Sequence, residues 1–77
     1  MAIEIKIPEV NGEGKMGIIV RWYKSEGDQV KAGEEVAEAM IEKITIQVQA
    51  PSSGKLKVLK RENEEVKEGE VIGYVEA

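Results

Sequence analysis

An internal repeat with an offset of 36 residues, the separation of Lys24 from Lys60, limits the folds that this chain can adopt. The repeat relates the segment 24–34 to the segment 60–70. The matching pairs are Lys24 and Lys60, Glu26 and Glu62, Val30 and Val66, Lys31 and Lys67, Gly33 and Gly69, and Glu34 and Glu70. Two copies of one supersecondary unit predict two related halves and a pseudo-twofold domain.

The aliphatic residues favour strands over helices. The chain has nine Val and nine Ile but only two Leu, and branching at Cβ suits a pleated strand. Gly and Pro stand between the aliphatic clusters, where turns are expected. We therefore predict one all-β domain over residues 1–77, in which a duplicated strand-turn-strand unit forms a β-sandwich or flattened β-barrel.

Composition disfavours several classes of function. The chain has neither Cys nor His, so disulfide frameworks, zinc sites and the common nucleophile–base pairs are not available. Its formal charge is −4, with basic residues interleaved among acidic ones, which argues against nucleic acids and membranes as partners. Because neither a signal peptide nor a membrane-spanning run is recognisable, we expect a cytoplasmic location. The lack of His and Cys predicts no catalytic residues, and adjacent acidic residues such as Glu64 and Glu65 would face opposite sides of a strand, which predicts no metal site. A monomer is the default expectation.

The two halves differ in length before the repeated turn. Pro8 and Gly33 are 25 positions apart, whereas Pro51 and Gly69 are 18 positions apart, so the first half has seven extra residues. We place them in a loop that consists of Glu9, Val10, Asn11, Gly12, Glu13, Gly14, Lys15 and Met16. A loop found in only one of two related halves is a candidate recognition element, and its alternative role is that of a connector.

A pattern with a period of two runs from Ile44 to Ala50 and indicates a strand. If the preceding segment folds back through a turn at Glu42 and Lys43, one face of the hairpin is apolar. On that face the predicted pairs are Ile41 with Ile44, Ala39 with Ile46, and Ala37 with Val48. On the other face they are Met40 with Thr45, Glu38 with Gln47, and Val36 with Gln49. A shift by one residue would expose the apolar side chains of one strand, so we predict this register.

The predicted turn, Glu42-Lys43, departs from the usual chemistry of two-residue hairpins. Such turns favour Asn-Gly or another glycine pair, because the tip needs a positive φ. Local rules are broken most often at functional or strained sites. A lysine on a rigid projection is accessible to a modifying enzyme, so Lys43 is either an acceptor for a covalent group or an ordinary solvated turn residue.

Three segments together resemble the lipoyl domains of the biotinyl/lipoyl attachment family. They are 26–33 (Glu-Gly-Asp-Gln-Val-Lys-Ala-Gly), 41–48 (Ile-Glu-Lys-Ile-Thr-Ile-Gln-Val) and 50–54 (Ala-Pro-Ser-Ser-Gly). In that family an acidic residue precedes the modified lysine, a proline follows eight residues after it and a glycine eleven residues after it. Glu42, Pro51 and Gly54 hold these places here. The turn 62–69 resembles the second half of the family pattern, so the resemblance covers essentially the whole chain.

The resemblance implies a barrel-sandwich hybrid of two four-stranded antiparallel sheets. It implies lipoate bound covalently to Lys43, with Glu42 and Ile44 as flanking recognition residues, and partner recognition by the loop from Glu9 to Met16. The implied function is a swinging arm that carries acyl groups and electrons in a 2-oxo acid dehydrogenase complex, within a dihydrolipoamide acyltransferase chain. The implied partners are lipoate-protein ligase, a thiamine-diphosphate-dependent 2-oxo acid dehydrogenase, the acyltransferase core and dihydrolipoamide dehydrogenase.

Two alternatives share this fold. Biotin carrier domains have an Ala-Met-Lys-Met acceptor, whereas here Met40 lies three residues before the lysine and Ile44 follows it. Lipoyl domains most often have Asp before the lysine, and Glu42 keeps that charge. The second alternative to a lipoyl domain is an unmodified structural module, although such a module needs no lysine at the hairpin tip.

Overall fold

The computed structural model describes residues 1–9 and 14–77, which form strands and turns without a helix. The strands in this part of the chain are β1 (Ala2–Lys6), β2 (Met16–Trp22), β3 (Gln29–Val30), β4 (Glu35–Ile41), β5 (Ile44–Gln49), β6 (Gly54–Val58), β7 (Glu65–Lys67) and β8 (Val71–Glu76). The all-β class predicted from the Val and Ile content is confirmed.

The strands form two four-stranded antiparallel sheets, as the family resemblance implies. Sheet I has the order β1-β8-β6-β3 and sheet II the order β5-β4-β2-β7. Each strand of the first half has a counterpart four strands later, so that β1 corresponds to β5 and β4 to β8. Exchanging all such counterparts converts the strand order of sheet I into that of sheet II. The predicted pseudo-twofold is therefore confirmed, and the halves are interleaved because each sheet takes two strands from each half.

The core lies between the sheets and consists almost entirely of aliphatic side chains. Its buried members are Ile5, Ile7, Ile19, Val30, Val36, Ala37, Ala39, Ile41, Ile46, Val48, Ala50, Leu56, Val66, Ile72 and Val75. Alternation along each strand sends one residue in two inward, which is the period of two seen in the sequence. Small alanines on β4 lie opposite larger residues of β5, so the two strands fill the space together.

The repeated glutamates make equivalent contacts across the pseudo-twofold. The backbone N–H of Val58 donates a hydrogen bond to the Glu26 carboxylate at 2.7 Å, and the backbone N–H of Trp22 donates to the Glu62 carboxylate at 3.0 Å. Each acidic residue thus satisfies a backbone donor at the end of a strand in the other half. The repeat at these positions is explained by the fold.

The repeat also builds one ion pair in each half. Lys24 pairs with Glu34 at 3.0 Å, and Lys60 pairs with Glu70 at 3.5 Å. The same two glutamates accept hydrogen bonds from the backbone N–H groups three residues earlier in the chain. These contacts close the turns before β4 and β8.

We expect the domain to lose stability as the pH falls below the ordinary glutamate value of 4.5. Hydrogen bonds from backbone N–H groups, followed by contacts with lysines, lower the pKa of Glu26 and Glu34 in the folded state. A lowered folded pKa contributes stability above the unfolded pKa, and that contribution disappears as the pH falls through the folded value. Glu26→Gln with Glu34→Gln should flatten the acid limb of urea unfolding measured between pH 6 and about pH 3. An unchanged limb would contradict this assignment.

One predicted pair in the β4–β5 hairpin is wrong. The structure confirms the five pairs from Ile41–Ile44 to Ala37–Val48, but Gln49 lies opposite Glu35 instead of Val36. The register shifts between Glu35 and Ala37, and Val36 and Ala37 are both fully buried. Two consecutive inward residues require a β-bulge, because a regular strand would turn one of them to solvent.

Candidate modification site

Lys43 lies at the tip of the hairpin between β4 and β5, as predicted. Glu42 and Lys43 form the two-residue turn, and both are exposed. Behind the turn, Ile41 is fully buried and pairs with Ile44, which is 46% exposed. The tip therefore projects beyond the core, and on the β4 side its base is held by the buried Ile41.

The turn has the backbone strain that the sequence predicts. Glu42 has a φ of 59°, and within the described residues only Asn63 is a second non-glycine residue with positive φ. A residue with a Cβ pays a cost in this left-handed region that glycine avoids. Glycine would adopt this φ with less strain, yet the turn has an acidic residue directly beside the lysine. This favours a functional explanation for Glu42.

The end of the extra loop that joins β2 lies at the same end of sheet II as Lys43. Met16 pairs with Lys67 of β7 on one side, and its neighbour Gly17 pairs with Ile41 on the other. Adjacent strands are about 4.8 Å apart, so the loop enters β2 one strand away from β4 of the hairpin. Val10, Asn11, Gly12 and Glu13 lie outside the described residues, and the role of the loop in recognition stays a prediction.

Glu68 anchors the end of this loop, and sequence reasoning missed it. The Lys15 backbone N–H donates to the Glu68 carboxylate at 3.0 Å, and the Glu68 N–H donates to the Lys15 carbonyl at 3.0 Å. Glu68 is only 6% exposed. The sequence does contain one sign of this contact, since the repeat places Glu68 at the position of Ala32. A charged residue at only one of two equivalent sites indicates a contact that the other half lacks.

An open groove lies at the other end of sheet II. Trp22, Ser25 and Glu26 line it together with their repeat equivalents Val58, Arg61 and Glu62, and Lys24 also contributes. Trp22 pairs with Ala37, at the opposite end of β4 from Lys43. The groove is therefore not part of the lysine site.

Two negative observations concern only the described ranges, 1–9 and 14–77. Within them, no group of three or more acidic residues is placed to hold a metal ion. No helix there is long and apolar enough to cross a membrane.

The fold and the site together define a class of protein, a small double-sheet β domain that presents one lysine at a tight hairpin tip. A family model for biotin and lipoyl attachment, described as "Biotin-requiring enzyme", matches residues 3–75. The chain belongs to this biotin/lipoyl attachment family.

Relatives among curated proteins are acyltransferase components of multienzyme complexes. The chain is 38% identical over 73 residues to the dihydrolipoyllysine-residue succinyltransferase component of the 2-oxoglutarate dehydrogenase complex of Bacillus subtilis, covering 94% of this chain and 18% of the relative. It is 36% identical over 76 residues to the corresponding component of Rickettsia bellii, covering 97% of this chain and 19% of the relative. The chain thus spans less than a fifth of these relatives' length.

Solved structures agree with the fold. The lipoyl domain of the 2-oxoglutarate dehydrogenase complex of Azotobacter vinelandii matches with a TM-score of 0.77 and 28% identity, covering 97% of this chain and 96% of that one. Urea carboxylase of Kluyveromyces lactis matches with a TM-score of 0.80 and 23% identity, covering 99% of this chain and 6% of that one. The second match shows the shared fold alone.

Proposed function

We propose that this chain is a lipoyl carrier domain in which lipoate is joined by an amide bond to Nζ of Lys43. The observation that carries the proposal is the position of Lys43, exposed at the tip of a hairpin whose base is buried at Ile41. The similarity to a solved lipoyl domain over nearly its whole length supports lipoate over other groups.

The residues at the tip fit a covalently attached carrier arm. Condensation of the lysine amine with the lipoate carboxyl group releases water and removes the lysine charge. Glu42 then has no cation beside it in the turn, so its role is better explained by recognition than by an ion pair. The strained turn at Glu42 and the buried Ile41 give Lys43, where the amide would form, a defined place on the surface.

The bound group supplies the chemistry, and the domain supplies its position. Lipoate held on Lys43 would supply a dithiolane, a group that can be reduced to a dithiol and can carry an acyl group between the active sites of a 2-oxo acid dehydrogenase complex. The proposed partners are a thiamine-diphosphate-dependent 2-oxo acid dehydrogenase, lipoate-protein ligase, the acyltransferase core and dihydrolipoamide dehydrogenase, within a longer acyltransferase chain. Tethering raises the effective concentration of the arm at each active site.

Intact mass spectrometry tests the proposal directly. The domain is produced in a host with both lipoate and biotin ligases, with lipoate, biotin or neither added to the medium. We expect a gain equal to lipoate less one water, at one site, only when lipoate is available. A gain equal to biotin less one water would assign the biotin carrier function, and no gain with either compound would indicate the structural module.

Exchanging the two turn residues tests how the ligase reads the tip. In Glu42→Lys with Lys43→Glu, the amine moves by one position on a rigid turn. Because displacement by even 1 Å costs a positioned reaction on the order of 100-fold, we expect the rate of lipoylation to fall by about that factor. Free energy of unfolding should change by less than about 1 kcal/mol, since both residues are exposed. Efficient modification of the exchanged variant would show that position is unimportant.

A further inference from the structure

An exposed apolar patch lies on the outer face of sheet II beside the lysine hairpin. It consists of Met16, Ile18 and Met40, which are 43%, 40% and 39% exposed. Ile18 and Met40 lie directly opposite each other on β2 and β4, and Met16 is two residues before Ile18 on the same face. These three residues, the outer patch, form one continuous apolar surface.

The pseudo-twofold provides an internal comparison for this patch. The glycines that contact the neighbouring strand, Gly17 and Gly54, are 37 positions apart because β2 has one extra residue at the register shift between Ile19 and Arg21. They are equivalent, since a Cβ at either would meet the carbonyl oxygen of an equivalent residue, Met40 or Glu76. The pair in sheet I that corresponds to Ile18–Met40 is therefore Lys55–Glu76, and both of its members are exposed.

The fold itself does not require apolar residues at these positions. Sheet I forms the same β-ladder with a charged pair, Lys55 and Glu76. Its counterpart of Met16, directly before the equivalent glycine, is the exposed Ser53. Apolar residues on an exposed sheet face cost solubility, so their presence in only one of two equivalent places indicates a contact with another molecule.

The surroundings of the outer patch have the anatomy of a protein interface. Along the row across sheet II, Ile18 is flanked by Glu65 and Met40 by Thr45, and Met16 is flanked by Lys67. All three flanking residues are exposed. An apolar centre within a polar rim is the usual arrangement of a surface that another protein covers.

We infer that the outer patch is a docking surface for the thiamine-diphosphate-dependent dehydrogenase that acylates the arm, an inference that rests on the proposed function. Met40 is three residues from Lys43 in the same hairpin, so an enzyme that covers the patch has the arm within reach. Met16, predicted as the last residue of the extra loop, is instead the first residue of β2 and pairs with Lys67. The patch therefore begins where the predicted recognition loop joins β2. We assign the patch to the dehydrogenase and not to the ligase, because the adjoining loop is the element predicted to recognise that enzyme.

The sheet I pair can be transferred to sheet II to test this surface. The variant Ile18→Lys with Met40→Glu copies Lys55–Glu76, leaves the net charge unchanged and removes two of the three patch residues. Met40→Gln is a milder second variant should the double change impair folding, which thermal unfolding reports. Leu59→Ser is the matched control, because Leu59 is 56% exposed and follows β6 in the other sheet.

Each variant is lipoylated with lipoate-protein ligase, checked by intact mass, and then acylated by each 2-oxo acid dehydrogenase of the source organism. For the double variant we expect lipoylation at the wild-type rate, a KM for acylation raised about tenfold or more, and kcat within about twofold. Leu59→Ser should be lipoylated and acylated with the same kinetic constants as the wild type. Acylation of free lipoamide, measured as a check on the enzyme, should have the same rate in every experiment.

The possible results separate the docking inference from the proposed function. A double variant and Met40→Gln that are acylated with the wild-type KM would overturn the inference. Slower lipoylation with unchanged acylation of the modified fraction would also overturn it, because the surface would then belong to the ligase. A wild-type domain that is neither lipoylated nor acylated would instead refute the proposed function.

Discussion

Lys43→Arg should abolish lipoylation of the domain completely. Of the nine lysines in the chain, Lys43 is the one at the tip of a hairpin whose pairing is set by buried residues on both strands. Arginine keeps the positive charge and the side-chain length but lacks an amine that can form the amide. Because the residue is exposed, we expect the free energy of unfolding to change by no more than about 0.5 kcal/mol.

The measurement is intact mass after incubation with ligase, ATP and lipoate, with thermal unfolding as the check on folding. Lys55→Arg is the matched control, since Lys55 is also exposed and lies on a strand of the other sheet. It should be lipoylated as completely as the wild type. If the Lys43→Arg protein still gains the lipoyl mass, the attachment site lies elsewhere.

Gly17→Ala should destabilise the domain strongly, although it adds only one methyl group. A Cβ at Gly17 would collide with the carbonyl oxygen of Met40 and with the side chain and Cα of Ile41 on the neighbouring strand. Backbone cannot move aside as a flexible side chain can, so β2 and β4 would have to separate next to the lysine hairpin. Overpacking of this kind costs about 3 kcal/mol, which lowers Tm on the order of 15 °C in a domain of this size.

Gly27→Ala separates this collision from the general cost of replacing glycine. Gly27 has a φ of 88°, but a Cβ there would meet no heavy atom within 4 Å. Its replacement should cost only about 1 kcal/mol, from backbone strain. Thermal unfolding of the two variants gives the comparison, and equal Tm values would mean that β2 and β4 leave room for a methyl group at Gly17.

The alternation of apolar and polar residues predicted the pairing of the hairpin strands well, because both strands lie within one short segment. The alternation from Ile44 to Ala50 and the apolar residues before Glu42 allow only one register that buries both strands. The structure confirms five of the six pairs. The sixth predicted pair, Val36 with Gln49, is wrong, because the β-bulge at Val36 depends on how β4 packs against the rest of the core.

The extra loop and its anchor show where sequence reasoning stopped. The difference in length between the halves was visible, but the contact that ties Lys15 to Glu68 joins residues 53 positions apart. No local pattern reports such a partner. The break in the repeat at Ala32 and Glu68 pointed to an asymmetry without indicating which segment Glu68 would meet.

By itself, the sequence determined that this protein has two related β halves, an aliphatic core and one lysine on a tight hairpin, because each follows from periodicity, composition or spacing. Only the tertiary structure decided that the halves interleave their strands between two sheets, that Glu68 is buried, and that Met16, Ile18 and Met40 form one surface. The physical reason is that strand order and outer faces are set by hydrogen bonds and packing between distant segments, which leave no periodic trace along the chain.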